Sequence, residues 1–368
     1  MPAISIDGVE VTQAIQYFHS AFPLCGPATA HVPCGDNSIP LVAGKTTVVR
    51  VYVSGTPAGA TLGGVASYTD SHGTQRFLWP IAATMIPSGT PHREVNADGL
   101  TFLIQAQDAF NGTARLDVTA FIQIPGQPPP SPGLSLNLTF EERAELVIRL
   151  VRIKYETAAK KIPEPTIQEF WNMATFARRV FPIGATQIRL INDSVEKFDG
   201  TGVGLLDNLA PGATGAGSTG TPAHILDQLA AAEGLPSQVV YVALYSLDLY
   251  IELSPGFSGV GGGHRAVIVA DPAATHTFAH EIGHALGLGH APAGGAGGPD
   301  TNYPSYSPLS SGSIGEVGFE GATGDAKDAT TLRFHELRAL ALDFSLPLHE
   351  TLPSHRPIFA DPPPDTKI

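Results

Sequence analysis

Long hydrophobic runs are missing from this chain of 368 residues. No stretch approaches the roughly 18 apolar residues of a membrane helix, so no membrane span is expected. Basic residues are scarce: 21 Lys and Arg stand against 34 Asp and Glu, a formal charge of −13. No basic run offsets that balance, which argues against nucleic acid as a partner. Cysteines number two, far too few for a disulfide framework. The three methionines, Met1, Met85 and Met173, all lie in the first half of the chain. The opening residues, MPAISIDGVEV, have neither a positive n-region nor an apolar h-region, so no cleaved secretory signal is read there. That fits a mature exported chain or export without a cleaved signal, and it leaves the cytoplasm open.

What the chain has in quantity is glycine and proline, 40 and 32 residues, beside a hydrophobic share of 43%. The apolar share suffices for real cores, and the Gly and Pro predict turns and long loops rather than a helical bundle. The length suits two domains rather than one.

Residues 1–140 read as all-β. Strand patterns run over Ile4–Ile15, Leu41–Val53, Thr61–Tyr68, Gln75–Ile81, Leu100–Ile104 and Ala114–Ile124. Clusters of Gly, Pro, Asn and Asp separate them. About seven short strands at this spacing predict an immunoglobulin-like β-sandwich. Its arginines and aromatics read as ordinary face residues, and a binding role for it rests on analogy of fold. The proline-dense segment Ile124–Gly133, IPGQPPPSPG, reads as a stiff connector, and the domain border is placed near residue 140.

Residues 141–345 change character. Leu146–Tyr155 is a β-branched strand, and Glu164-Pro165-Thr166 leads into an amphipathic helix through about Val180. Thr186–Ile191 reads as a strand, 198–221 as a Gly-rich loop, Pro222–Ala232 as a helix and Gln238–Tyr245 as a buried strand. This order predicts an α/β (α+β) layer built on a mixed sheet. Gly261–Gly263 suits a bulge or a close backbone approach. His264 beside it reads as a loop histidine, and Ala266–Ala270 as one more strand. Nothing from Ala291 to Gly321 is regular, a last helix is expected over Thr330–Phe344, and 346–368 form a Pro-rich extended tail.

The chemistry is concentrated in Thr277–Pro292, TFAHEIGHALGLGHAP. On a helix, His280 and His284 lie one above the other on the same face. Both imidazoles can then bind one zinc ion at roughly 2.0–2.1 Å. Glu281, adjacent to the first ligand, can polarise a zinc-bound water without ligating, as a general base requires. Gly287 follows His284 by three residues, where a helix ends cheaply in a left-handed turn. The chain can then double back and bring in His290. Three histidines leave a fourth position open, which marks a catalytic rather than a structural zinc site. A lone His-Glu-x-x-His arises by chance, but HExxHxxGxxH fixes five residues, and Ala279, Ile282, Ala285, Leu286 and Leu288 supply an apolar surface to bury the helix.

At His280, Glu281, His284, Gly287 and His290 the chain resembles the metzincin clan of zinc metalloendopeptidases. The resemblance implies one catalytic Zn2+ held by the three histidines, with Glu281 as general base and acid. It implies a metzincin-like domain with an active-site helix, acting on a protein or glycoprotein substrate. It further implies that Ala266, Val267, Ile268 and Val269 form the edge strand to which an extended peptide adds itself. One clan feature is absent: no methionine follows the motif to form the Met-turn, so Ile314 or Leu332 would have to floor the metal, or the chain belongs to a divergent branch.

Tyr303 and Tyr306 are candidates to stabilise an oxyanion, as phenols do in related zinc peptidases, with packing tyrosines the plain alternative. Asp300, Asp325 and Asp328 are carboxylates of the kind calcium takes, but no loop pattern supports a Ca2+ site. Cys25 and Cys34 fit a local disulfide, which implies an oxidising compartment and an extracellular or exported protein. Alternatively a thiolate silences the zinc, since Val32–Asp36 faintly resembles the cysteine switch of matrix metalloproteases. Two other functions compete with proteolysis: an adhesin-type protein with a retained zinc scaffold, and a zinc amidase acting on a non-protein substrate. An intact Glu281 weighs against the first, since a scaffold needs no base. No pattern bears on the oligomeric state.

Overall fold

β-Branched residues dominate Thr47–Val53, a composition that suits a pleated strand, and both faces of that stretch are buried. In a computed structural model of the chain it is the centre of a three-stranded antiparallel sheet. The residues described are 3–14, 16, 37, 39–56, 58–81, 84–87, 98–123, 133–198, 222–236, 238–249, 259–272, 275–290, 317–320 and 333–336. The first nine strands are β1 (Ala3–Thr12), β2 (Leu41–Val42), β3 (Thr47–Thr56), β4 (Thr61–Thr69), β5 (Gln75–Leu78), β6 (Thr84–Met85), β7 (Gly99–Ile104), β8 (Gly112–Ile122) and β9 (Gly133–Glu141). The small sheet has the order β1-β3-β7. A second sheet runs β2-β9-β8-β4-β5, with β6 also paired to β4.

The two sheets share one core. Val49, Val51, Phe102 and Ile104 from the first meet Leu62, Tyr68, Leu116, Val118 and Phe140 from the second. Each such side chain, fully buried, contributes about 1.5–3 kcal/mol of transfer free energy. The proline-dense segment does not separate domains. It joins β8 to β9, which pair antiparallel from Gly112↔Phe140 to Thr119↔Gly133. Nor is Arg50 an ordinary face residue. It is fully buried and donates to the Tyr52 hydroxyl at 3.0 Å, which in turn donates to buried Glu10 at 2.6 Å.

The chain then turns straight into a third sheet. Its strands are β10 (Leu146–Glu156), β11 (Lys161–Ile162), β12 (Ile188–Phe198), β13 (Val239–Ser246), β14 (Gly259–Gly262) and β15 (Arg265–Ala270). The order is β11-β10-β13-β15-β14, with β12 also paired to β10. β12, β13 and β15 run parallel to their neighbours in the crossovers, whereas β14 is antiparallel to β15. The sheet is mixed. Parallel strands covered on both faces read as near-continuous apolar runs, and β13 is buried from Val239 to Tyr245.

Helices cover both faces. Helix α1 (Ile167–Val180) starts at a capping box: the Glu169 amide donates to the Thr166 hydroxyl at 3.1 Å, and the Thr166 amide donates to the Glu169 carboxylate at 2.6 Å. Its buried residues, Phe170, Met173, Ala174 and Ala177, face Ile148, Leu150, Val242 and Ile268 of the sheet. Helix α3 (Thr275–Ala285) packs on the same face through Phe278, Ala279, Ile282 and Ala285. Phe170 and Phe278 meet edge to face, with centroids 5.5 Å apart. Helix α2 (Pro222–Glu233) covers the opposite face, where Ala223 and Leu226 meet Val151, Tyr241 and Val267. The result is a three-layer α/β arrangement that holds α3 against the sheet.

The two parts touch at the loop before β3. The Ala185 amide donates to the Gly44 carbonyl at 2.8 Å, and the Lys45 amine donates to the Phe181 carbonyl. Burial brings the Lys45 amine down from 10.5 to about 7.

Two expectations near the C-terminus fail. Arg333–Glu336, expected in a helix, is strand β17, and Val317–Glu320, expected to be irregular, is strand β16, antiparallel to it. Of the leucines at 332, 337, 340 and 342 only the middle pair keeps a helical spacing, and Thr330-Thr331 adds β-branched residues beside the strand.

Candidate metal centre

Apolar residues at Phe278, Ala279, Ile282 and Ala285 fix which side of α3 faces the sheet, so His280 and His284 lie along its other flank. The helix ends where Gly287 adopts φ 91°. The Gly287 amide donates to the His284 carbonyl at 2.9 Å and the Leu288 amide to the Gly283 carbonyl at 3.0 Å. These two bonds make a Schellman motif, with glycine at the left-handed position. The reversed chain carries His290 back towards the helix.

The three rings converge. Nε2 of His284 lies 2.9 Å from Nε2 of His280 and 3.0 Å from Nε2 of His290. Their ligating atoms all lie within 4.8 Å of one another, the one such group of three among the described residues. Nδ1 of His284 is 2.8 Å from the Leu288 carbonyl. A carbonyl only accepts, so Nδ1 carries the hydrogen and Nε2 presents a bare lone pair. Burial first, and then the neighbouring His284, His290 and His276, hold the His280 imidazole down to about 3. Burial also lowers His284, against the Leu288 bond that raises it. The Nε2 lone pair of His284 is aimed at the ring nitrogens of His280 and His290, an arrangement that a cation between them satisfies. The donor set fits a divalent metal, and the helix and its terminating turn fix two of its three directions.

Glu281 follows the first of these histidines but faces inward, with only 2% of its surface exposed. Burial pushes its carboxyl from 4.5 up to about 8. Among the described residues no cation pairs with it. A buried carboxyl without a cation, beside a cluster of three histidines, is costly for stability and is the kind of group found at functional sites.

Ala266, Val267, Ile268 and Val269, expected at the sheet edge, are not there. They belong to β15, which pairs on one side with β13 and on the other with β14, and all four are buried. A two-residue turn at Gly263-His264 folds the glycine run back as one more strand, which makes β14 the last strand on that side among the described residues. The glycine run lies close against α3: a Cβ on Gly259 or Gly261 would fall within 3.0 Å of Glu281 atoms. Sequence pattern marked the close approach but not its target. The orienting carbonyl of Leu288 left no signal, because any residue carries one. Tyr303, Tyr306, Asp300, Asp325, Asp328, Ile314, Leu332, Cys25 and Cys34 lie outside the described residues.

A family described as Peptidase M66 matches residues 231–323. That stretch holds α3, its three histidines, Glu281 and the glycine strand. Over it the chain is similar to a family of metallopeptidases, which supports a peptidase and hence a protein substrate. No curated protein matches the chain. No helix among the described residues is long and apolar enough to cross a membrane.

Proposed function

We propose that the chain is a zinc-dependent endopeptidase of the metzincin type, with His280, His284 and His290 as metal ligands and Glu281 as general base and acid. The observation that carries this reading is the convergence of three Nε2 atoms, one with its tautomer set by Leu288, beside a buried carboxyl with no cationic partner among the described residues. Zinc, when bound, supplies a Lewis acid for the scissile carbonyl and lowers the pKa of the attacking water from about 15.7 towards 7. Glu281 takes the proton of that water as the carbon–oxygen bond forms, and returns it to the leaving nitrogen as the carbon–nitrogen bond breaks. Its carboxylate form is favoured once positive charge sits among the histidines. Tyr303 and Tyr306 remain our candidates to donate a phenolic hydrogen bond to the oxyanion.

An extended protein or glycoprotein segment would lie along β14, the last strand of the sheet among the described residues, by backbone pairing. We read residues 1–140 as an immunoglobulin-like accessory unit, 141–345 as the catalytic unit and 346–368 as an extended tail, in an exported protein. The test is elemental analysis of the purified chain with cleavage of an unstructured protein such as casein. One zinc per chain and chelator-sensitive cleavage support the reading; absence of zinc contradicts it.

A further inference from the structure

Strand β14 reads Gly259-Val260-Gly261-Gly262, three glycines in four residues. Glycine weakens a strand, since it loses the most backbone freedom on folding and packs nothing. A run of it therefore has a steric reason, and the period of two places Gly259 and Gly261 on one face and Val260 on the other. Val260 packs with the core under α2, so the glycines face α3.

Both glycines meet the same residue. A Cβ on Gly261 would lie 2.0 Å from the Glu281 carbonyl oxygen and 2.8 Å from its carbonyl carbon. On Gly259 it would lie 2.6 Å from Cγ of Glu281 and 3.0 Å from both Cδ and Oε1. Gly261 thus seats the strand on the helix backbone, and Gly259 seats it on the carboxyl side chain. The strand has little freedom to move away. Gly263 and His264 form its turn with φ 56° and 64°, the pair of positive values that a type I′ hairpin requires. The His264 amide donates to the Ala285 carbonyl at 2.9 Å, which ties that turn to the end of α3.

We propose that Gly259 is a positioning residue for Glu281. Its bare backbone forms a wall against which Cγ and the carboxyl lie, and the pinned hairpin keeps that wall at one distance. Glu281 is thereby held in one direction beside the histidines, as a proton-transferring group must be. The consequence for catalysis rests on the endopeptidase reading above; the contact itself does not.

The two glycines differ in what a methyl group would do. At Gly261 it meets helix backbone, which cannot yield, so the hairpin would lift from α3. At Gly259 it meets Cγ and the carboxyl of a side chain, which can turn about its Cα–Cβ bond where helix backbone cannot. Gly259→Ala therefore keeps the fold and the histidines while moving the carboxyl.

The experiment uses the full chain as Gly259→Ala, Glu281→Ala and the double variant. In casein cleavage, Gly259→Ala is expected to keep one zinc per chain and an unchanged KM while kcat falls about 10- to 100-fold. In thermal unfolding, it is expected to lower Tm by about 2–4 °C with Glu281 present and by nothing with Glu281→Ala, because the colliding atoms are gone. Equal Tm losses in both backgrounds would assign the effect to the strand alone and overturn the proposal. So would wild-type kcat, or loss of zinc, in Gly259→Ala. If the wild type cleaves nothing, the endopeptidase reading fails, while the thermal comparison still decides the contact.

Discussion

The carbonyl of Leu288 accepts a hydrogen bond from Nδ1 of His284 at 2.8 Å, so the turn that ends α3 also orients a side chain within it. That turn depends on Gly287 at φ 91°, with nothing within 4 Å of where its Cβ would stand. Gly287→Ala therefore creates no collision and costs only the left-handed backbone, about 1–2 kcal/mol. Its effect should be larger on metal than on fold. Loosening an outer partner of a metal-binding histidine weakens affinity about 10- to 100-fold. A competitive chelator titration checks this, and an unchanged zinc affinity would contradict the role given to the turn.

Phe278 joins α3 to α1 through its edge-to-face contact with Phe170 and is fully buried. Phe278→Ala should destabilise the chain by about 3–5 kcal/mol, with Phe278→Leu costing much less. Denaturant unfolding reads the difference. Equal losses for the two variants would mean that cavity volume is not what the ring supplies.

Lys45 makes stability depend on pH. Its amine titrates near 7 in the folded chain and near 10.5 when unfolded. Between those values the unfolded chain binds the extra proton, so this contribution to stability grows as pH rises from about 7 to 10.5 and is lost as pH falls through 7. An amine donates to the Phe181 carbonyl in either protonation state, so the contact survives the titration. The Tm of the wild type minus that of Lys45→Met should increase across this range. A flat difference would show that the amine stays solvated.

Much of this arrangement is legible from residue order, for identifiable reasons. The β-branched runs of β3, β10 and β13 and the capping residues Thr166 and Glu169 are local signals that the tertiary fold reinforces. The His-Glu-x-x-His spacing on one helix face and Gly287 beyond it are local too, and the structure does bring His280, His284 and His290 together. What residue order hides is pairing between distant segments. Ala266–Val269 reads the same whether one neighbour or two flank it, and only the Gly263-His264 turn, which folds β14 back, makes it interior. The prolines of 124–132 read as a domain linker, yet they join adjacent strands because β9 returns to β8. Arg50 reads as an ordinary face residue, since nothing local announces Glu10 opposite it on the neighbouring strand.

The central claim is that Glu281 moves the proton while the three histidines hold the metal. The most direct measurement is zinc content together with casein cleavage for the wild type and Glu281→Ala, side by side. The account predicts one zinc in each, cleavage by the wild type alone, and a fall in kcat of about 10²-fold or more in the variant. Cleavage by Glu281→Ala at the wild-type rate, or no zinc in the wild type, would contradict it.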